Sequence, residues 1–125
     1  QSARVELPSG GWVMFETTQA MTTIDVNSGN HDAPARAVNL EAAQIIARQI
    51  RLRGLGGLIA IDFIDMTEST DSETVLQALD EGFTGDKQPV RIGPMSEFSV
   101  VEMTRRRGGM TLAQSLQQIR PAVDE

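Results

Sequence analysis

Three polar residues stand in segments that otherwise predict β-strands, and their side chains are suited to binding a divalent cation. Asp25 and Asn27 lie in residues 21–27, which are rich in Thr, Ile and Val, and Asp62 interrupts the apolar run 55–66. This run predicts a strand buried on both faces. Because a buried carboxylate without a partner is costly, Asp62 must be paired, hydrogen-bonded, bound to a cation or placed where the strand emerges at the sheet edge. The last two alternatives indicate a functional site.

The alternation of side chains along a strand distinguishes the acids of this run. Asp62 shares a face with Ile64, whereas Asp65 points the other way and is predicted to cap a helix or a turn. Asn27 shares a face with Asp25, so its amide could orient that carboxylate or a bound water. The simpler alternative for both candidate acids is that they cap turns.

The elements predicted around these residues bring the two acids together. Apolar periodicity predicts a helix over 36–53, and Gly54 is predicted to be its C-cap. The strand at 21–27, this helix and the strand through Asp62 form a β-α-β unit, in which the two strands are parallel. Asp25 and Asp62 then lie at the carboxyl ends of parallel strands, where open α/β sheets bind ligands. If the strands are neighbours about 4.8 Å apart, both carboxylates can bind one cation.

The whole chain predicts an α/β fold, a mixed β-sheet with packed helices in the order β-β-β-α-β-α-β-β-α. Alternation on both sides of a Pro-Ser-Gly-Gly turn predicts a hairpin of residues 3–7 and 12–16. Capping boxes at Thr70–Glu73 and Thr111–Gln114 predict the second and third helices, and strands are predicted over 90–92 and 98–103. With 125 residues, the chain is interpreted as one domain, 1–125, of two or three layers.

Composition restricts a metal site to oxygen ligands. The chain has no Cys and a single His, His31, which excludes a cysteine or histidine-rich zinc site. Mg²⁺, Mn²⁺ and Ca²⁺ prefer oxygen. The net charge of −6 argues against general electrostatic binding of nucleic acid, although ten of the eleven cationic residues are Arg. With neither a membrane-length apolar stretch nor a signal sequence, the chain is predicted to be cytoplasmic.

Four strings of residues resemble the ribonuclease E/G family, in the DNase I-like subdomain of its catalytic half. They are VELPSGG (5–11), TIDVNSG (23–29), NLEAAQIIARQIRLRGLGGLIAIDFIDM (39–66) and VVEMTRRR (100–107). The resemblance implies a DNase I-like fold in which Asp25 and Asp62 bind the catalytic Mg²⁺ and Asn27 orients Asp25. It also implies cleavage of single-stranded RNA at internal positions, which leaves 5′-phosphate ends on the downstream products. The implied roles are RNA decay and ribosomal RNA processing.

The chain also departs from the family pattern. It contains neither the S1 RNA-binding domain and 5′-monophosphate pocket, which precede this region in the family, nor the zinc-binding Cys pair and small domain, which follow it. Pro89 stands where the family carries a 5′-sensing Arg. The chain therefore resembles an isolated catalytic core, a fragment or a reduced relative of the family. Its expected partners are single-stranded RNA and the missing domains or their equivalents; zinc is not expected, and a homo-oligomer remains open.

Two hypotheses of different classes follow. The first is a magnesium-dependent endoribonuclease core, with Mn²⁺ as a substitute ion and arginines as phosphate contacts. The arginines assigned to RNA are Arg48, Arg51, Arg105 and Arg106. The second is a non-catalytic fragment that binds metal or a protein partner, because Ile45 and Leu52 form a second apolar strip on the long helix. The simpler explanation of the two arginine clusters, 48/51/53 and 105–107, is solvated surface charge.

Overall fold

The computed structural model describes residues 1–29 and 32–107. In this part of the chain the elements are β1 (Ser2–Glu6), β2 (Trp12–Thr17), β3 (Met21–Asn27), α1 (Ala35–Arg53), β4 (Gly57–Asp62), α2 (Ser69–Glu81), β5 (Val90–Met95) and β6 (Val100–Arg105). The strands form one sheet in the order β1-β2-β3-β4-β6-β5. The predicted α/β class is confirmed. The third predicted helix, after Thr111, lies outside the described residues.

The connections place both helices on one side of the sheet. β3 and β4 are parallel neighbours, and the other strand pairs are antiparallel. α1 joins β3 to β4, and α2 joins β4 to β5, which runs parallel to β4 with β6 between them. Both crossovers are expected to be right-handed, and both move across the sheet in the same direction, so their helices should cover the same face. The contact between α1 and α2 agrees with this placement. The predicted β-α-β unit is confirmed, and the described residues form two layers.

The hydrophobic core lies between the sheet and the helices. Fully buried side chains come from alternate strand positions and from the inward stripe of α1; they include Phe15, Ile24, Ile46, Ile50, Ile59, Ile61, Leu79 and Met103. Each contributes about 1.5–3 kcal/mol relative to an exposed position. α1 ends at Gly54, whose φ of 64° is the left-handed C-cap conformation predicted there. Among the described helices, none has the length and apolarity needed to cross a membrane.

The prediction that the strand through Asp62 is buried on both faces is wrong. β4 is shorter than the apolar run, and its side chains alternate in burial. Ile59 and Ile61 are fully buried, whereas Leu58 is 41% exposed. The two described helices, α1 and α2, cover only one face, so among the described residues Asp62 is exposed on the other face and needs no buried partner.

Three predicted boundaries also change. α2 begins at Ser69 without a side-chain cap hydrogen bond, so the predicted capping box at Thr70–Glu73 is wrong. β5 continues through Gly93 and Pro94, because a register shift at the edge of the sheet accommodates them. β6 begins at Val100, since the residues before it form the turn that leads from β5.

Candidate active site

Asp25 and Asp62 are direct register partners in the parallel β3–β4 pair. Partners at the same level of neighbouring strands project to the same face, about 4.8 Å apart along the sheet. Both acids are exposed, whereas the residues before them, Ile24 and Ile61, are buried on the helix side. The predicted juxtaposition of the two carboxylates at the carboxyl edge of parallel strands is therefore confirmed, and it lies on the open face of the sheet.

The electrostatics of the pair suit a cation. The pKa of Asp25 is raised above its ordinary value, first by desolvation and then by the negative charge of Asp62. Like charges on directly opposed residues are destabilising, and a divalent cation would relieve the repulsion. No group of three or more His, Asp or Glu side chains that could hold a metal occurs within the described ranges. The donor set fits Mg²⁺, which often takes two carboxylates and keeps its other positions for water and phosphate.

Asn27 ends β3 on the same face as Asp25. Its Oδ1 accepts a hydrogen bond of 2.9 Å from the backbone N–H of Gly29. This bond orders the turn after β3 and occupies the amide oxygen, so Nδ2 is the group that could donate to the Asp25 carboxylate or to a bound water. The assignment of Asn27 as the residue that orients Asp25 stays a prediction.

Asn39 is a positioning residue that the sequence analysis missed. It is fully buried on α1. Its Nδ2 donates to the carbonyl oxygen of Ile64 at 2.9 Å, and its Oδ1 accepts from the Ile64 N–H at 3.0 Å. These bonds fix the backbone two residues after Asp62. A sequence signal existed, because Asn39 lies four and seven residues before Ala43 and Ile46 on the apolar stripe of α1.

Ser99 holds the same segment from the other side. It is 1% exposed, and its φ of 61° is uncommon for a residue with a Cβ. Its carbonyl oxygen accepts from the Phe63 N–H at 3.0 Å, and its Oγ accepts from the Met66 N–H at 3.0 Å. No local sequence pattern marks Ser99 for this role. The chain that leaves Asp62 is thus fixed by α1 on one side and by the β5–β6 turn on the other.

The structure does not bring the predicted RNA-contacting arginines to the carboxylate pair. Arg48 and Arg51 are exposed on the C-terminal half of α1, on the side of the sheet opposite the open face. Arg106 follows the end of β6 that pairs with the start of β4. It therefore lies roughly 20 Å along the strand from the level of Asp62. His31, the sole histidine, lies outside the described residues.

Arg105, which the sequence assigns to RNA, is only 5% exposed in the structure, and each of its three guanidinium nitrogens is hydrogen-bonded within the protein. Its Nε and Nη2 donate to the two carboxylate oxygens of Asp86 at 2.8 and 3.1 Å. Its Nη1 donates to the Leu55 carbonyl oxygen at 2.9 Å. The hydrogen-bonded guanidinium holds the pKa of Asp86 below its ordinary value. Arg105 therefore ties the end of β6 to the loop after α2.

The fold and the site define a class, the α/β domains that carry paired carboxylates at the carboxyl edge of parallel strands. A family model described as the Ribonuclease E/G family matches residues 1–108. The chain belongs to this family.

Individual relatives agree with the family match. The chain is 44% identical over 115 residues to a Ribonuclease E from Nostoc sp., covering 87% of this chain and 17% of that protein. It is 43% identical over 124 residues to Ribonuclease E from Buchnera aphidicola, covering 94% and 13%. It is 44% identical over 110 residues to Ribonuclease G from Escherichia coli K12, covering 83% and 22%. The chain therefore spans less than a quarter of the length of these relatives.

Proposed function

We propose that this chain carries the catalytic site of an endoribonuclease that cleaves single-stranded RNA and depends on Mg²⁺, with Mn²⁺ as a substitute. The observation that carries the proposal is the register pairing of Asp25 with Asp62 on an open face. Family membership supports it, because the relatives at 43–44% identity are named Ribonuclease E and Ribonuclease G. The expected biological roles are RNA decay and ribosomal RNA processing.

Each residue of the site has a defined part in this proposal. Asp25 and Asp62 would hold the cation, and Asn27 would fix the Asp25 carboxylate through Nδ2. A bound divalent cation lowers the pKa of a coordinated water and neutralises charge on the phosphodiester. Water adds to phosphorus and the 3′-oxygen leaves, so the phosphate stays on the 5′ end of the downstream product.

The position of the pair suits a long substrate. Both carboxylates lie on the sheet face that neither described helix covers, and both are exposed. An extended RNA strand can therefore cross the pair without threading through an enclosed cavity. This geometry supports cleavage at internal positions of the RNA, since the RNA can continue past the site in both directions.

Replacing each acid by its amide tests the proposal. Asp25→Asn and Asp62→Asn keep the side-chain shape and remove one charged ligand each. We expect either change to reduce Mg²⁺-dependent cleavage of an end-labelled single-stranded oligoribonucleotide by more than about 100-fold. EDTA should abolish cleavage by the unmodified chain, and a 5′-phosphate should be found on the downstream product.

Asp65→Asn is the matched control, because Asp65 belongs to the same acidic segment but interacts with the Ser99 hydroxyl at 3.4 Å instead of pairing with Asp25. It should retain cleavage. Melting curves establish that all three variants fold. Unchanged cleavage by a folded Asp25→Asn or Asp62→Asn variant would contradict the proposal.

A second candidate function is a non-catalytic module that binds a protein partner. Leu52 favours it, since this α1 side chain is 68% exposed. Ile45 packs partly against the core, so the predicted apolar strip is reduced to one exposed residue. Metal-dependent cleavage by the purified chain would exclude this alternative, and Mg²⁺ binding without cleavage would support it.

A further inference from the structure

We propose that Trp12 and Phe98 form two base-stacking positions that flank the carboxylate pair, so that a single-stranded polynucleotide is held by its bases while its backbone crosses Asp25 and Asp62. The inference rests on the proposed function for its substrate class. It goes beyond that function by assigning binding residues outside the metal site.

Phe98 is one of the two aromatic side chains. At 72% it is the most exposed large apolar side chain among the described residues. It lies in the β5–β6 turn, two residues before Val100, which is the register partner of Asp62. The turn is ordered, because the backbone N–H groups of Phe98 and Val100 both donate to Ser96 Oγ at 3.2 Å. The backbone that carries the exposed ring is therefore held close to the site.

Trp12 lies on the other side of the pair. It is the register partner of Asn27 and therefore projects to the open face beside β3. The Arg4 guanidinium carbon lies 4.0 Å from the centroid of the Trp12 ring, and Arg4 Nε donates to Glu6 Oε2 at 2.6 Å. This cation–π contact holds the indole from one ring face. Trp12 is half-buried, and we assign the base to the ring face opposite Arg4.

The spacing suits a short length of single strand. The strands at this edge follow in the order β2, β3, β4 and β6. Trp12 therefore lies one strand beyond β3, and Phe98 precedes the strand next to β4. Four strands span roughly 14 Å from first to last, which a few extended nucleotides can cover.

The charge of the chain also favours stacking as the source of affinity. The net charge is −6, and Arg105, Arg48 and Arg51 are buried or lie on the opposite side of the sheet. Arg4, which lies beside Trp12, is paired with Glu6, so we expect few phosphate contacts at the site. Base stacking needs no positive charge and tolerates any sequence, because every base has a π-face. The ligand class is single-stranded nucleic acid with little sequence preference.

Fluorescence of Trp12 tests the proposal directly, because it is the only Trp in a chain without Tyr. The purified chain is titrated in EDTA, which prevents metal-dependent cleavage, with decauridylate, decaadenylate and an abasic oligomer of equal length. We expect saturable quenching by both base-containing oligomers and none by the abasic one. Phe98→Leu keeps apolar bulk but removes the ring, and it should weaken binding about tenfold. Phe98→Tyr should restore binding.

Leu52→Ala is the matched control, because it changes a similarly exposed apolar residue on the opposite side of the molecule; its affinity should equal that of the unmodified chain. Absence of saturable quenching, quenching by the abasic oligomer, or unchanged affinity in Phe98→Leu would overturn the stacking proposal. If any of these outcomes occurs and the chain still cleaves RNA, the nuclease proposal stands and the stacking proposal fails. Quenching that depends on Phe98, in a chain that cleaves no RNA, would retain stacking and refute the nuclease.

Discussion

At the scale of single residues, the closely placed carboxylates of Asp25 and Asp62 suit a cation, but their repulsion lowers the stability of the metal-free protein. The pKa of Asp25 is raised, so the folded chain binds this proton more tightly than the unfolded chain. Such a group favours the folded state at low pH, and its contribution is lost as pH rises through the raised pKa. Both carboxylates are exposed, and solvent screening keeps this cost small. A bound cation would remove this destabilisation, because it neutralises the repulsion between the two carboxylates.

Asn39 gives a test of the support beneath the site. Asn39→Leu should lower the free energy of unfolding by about 3 kcal/mol, because both backbone groups of Ile64 lose their buried partners. Urea denaturation measures the change. Gln44→Leu, at an exposed position on the same helix, should shift the value by less than about 0.5 kcal/mol. A similar effect of both substitutions would show that the Ile64 hydrogen bonds do not matter.

The buried ion pair of Arg105 and Asp86 gives a pH-dependent prediction. Arg105→Met should lower the free energy of unfolding at pH 7 by about 3–5 kcal/mol, because Asp86 is left charged and buried. A carboxyl whose pKa is lowered on folding stabilises above its unfolded pKa of about 3.9, and this contribution is lost as pH falls through the folded pKa.

The difference between Arg105→Met and the unmodified chain should therefore shrink as pH is lowered below about 4. Denaturation curves recorded at several pH values measure it. The double variant Arg105→Met/Asp86→Leu serves as the control and should recover most of the loss at pH 7, since neither charge remains buried. A difference that does not depend on pH would disprove this account of the pair.

At the scale of elements, the contact between α1 and α2 has no room for an added methyl group. A Cβ on Gly82 would overlap Ala47 Cβ. Gly82→Ala should therefore lower the free energy of unfolding by about 1–3 kcal/mol. In an Ala47→Gly background the same change should cost less, because the opposing methyl is gone. A double-mutant cycle measured by denaturation tests this, and additive effects would contradict the proposed clash.

At the scale of the whole molecule, the arginines that the sequence assigns to RNA lie away from the site. The chain carries a net charge of −6, and Arg48, Arg51 and Arg106 lie away from the carboxylate pair. Binding of single-stranded RNA should therefore release few counterions. We expect the logarithm of the association constant to fall with the logarithm of salt concentration with a slope shallower than about −1.4, equivalent to two phosphate contacts.

Fluorescence titrations over a range of KCl concentrations measure this slope. A slope steeper than about −3 would mean that the arginine clusters contact phosphates, as the sequence alone predicted. An Arg48→Gln/Arg51→Gln variant is the control. It should leave a shallow slope unchanged, because both residues lie on the side of the sheet opposite the carboxylates.

The paired acids could be predicted because the rules that place them are local. Side-chain alternation puts Asn27 and Asp25 on one face, and a β-α-β crossover makes β3 and β4 parallel. The periodicity of α1 and the glycine at its end were likewise sufficient to predict that helix. Alternation of apolar residues was likewise sufficient to predict the β1–β2 hairpin, whereas in β4 the apolar run continues onto the open face.

Only the tertiary structure decided what covers each face and which partner each polar group meets. Arg105 and Asp86 are 19 residues apart, and Asn39 and Ile64 are 25 apart. No periodic pattern links such positions, because their contact depends on how whole elements pack. The sequence by itself determined the elements, the crossover and the pair of acids at its carboxyl edge. The packing of the described residues leaves this edge exposed, buries Arg105 in an ion pair with Asp86, and sets Asn39 and Ser99 against the backbone that follows Asp62.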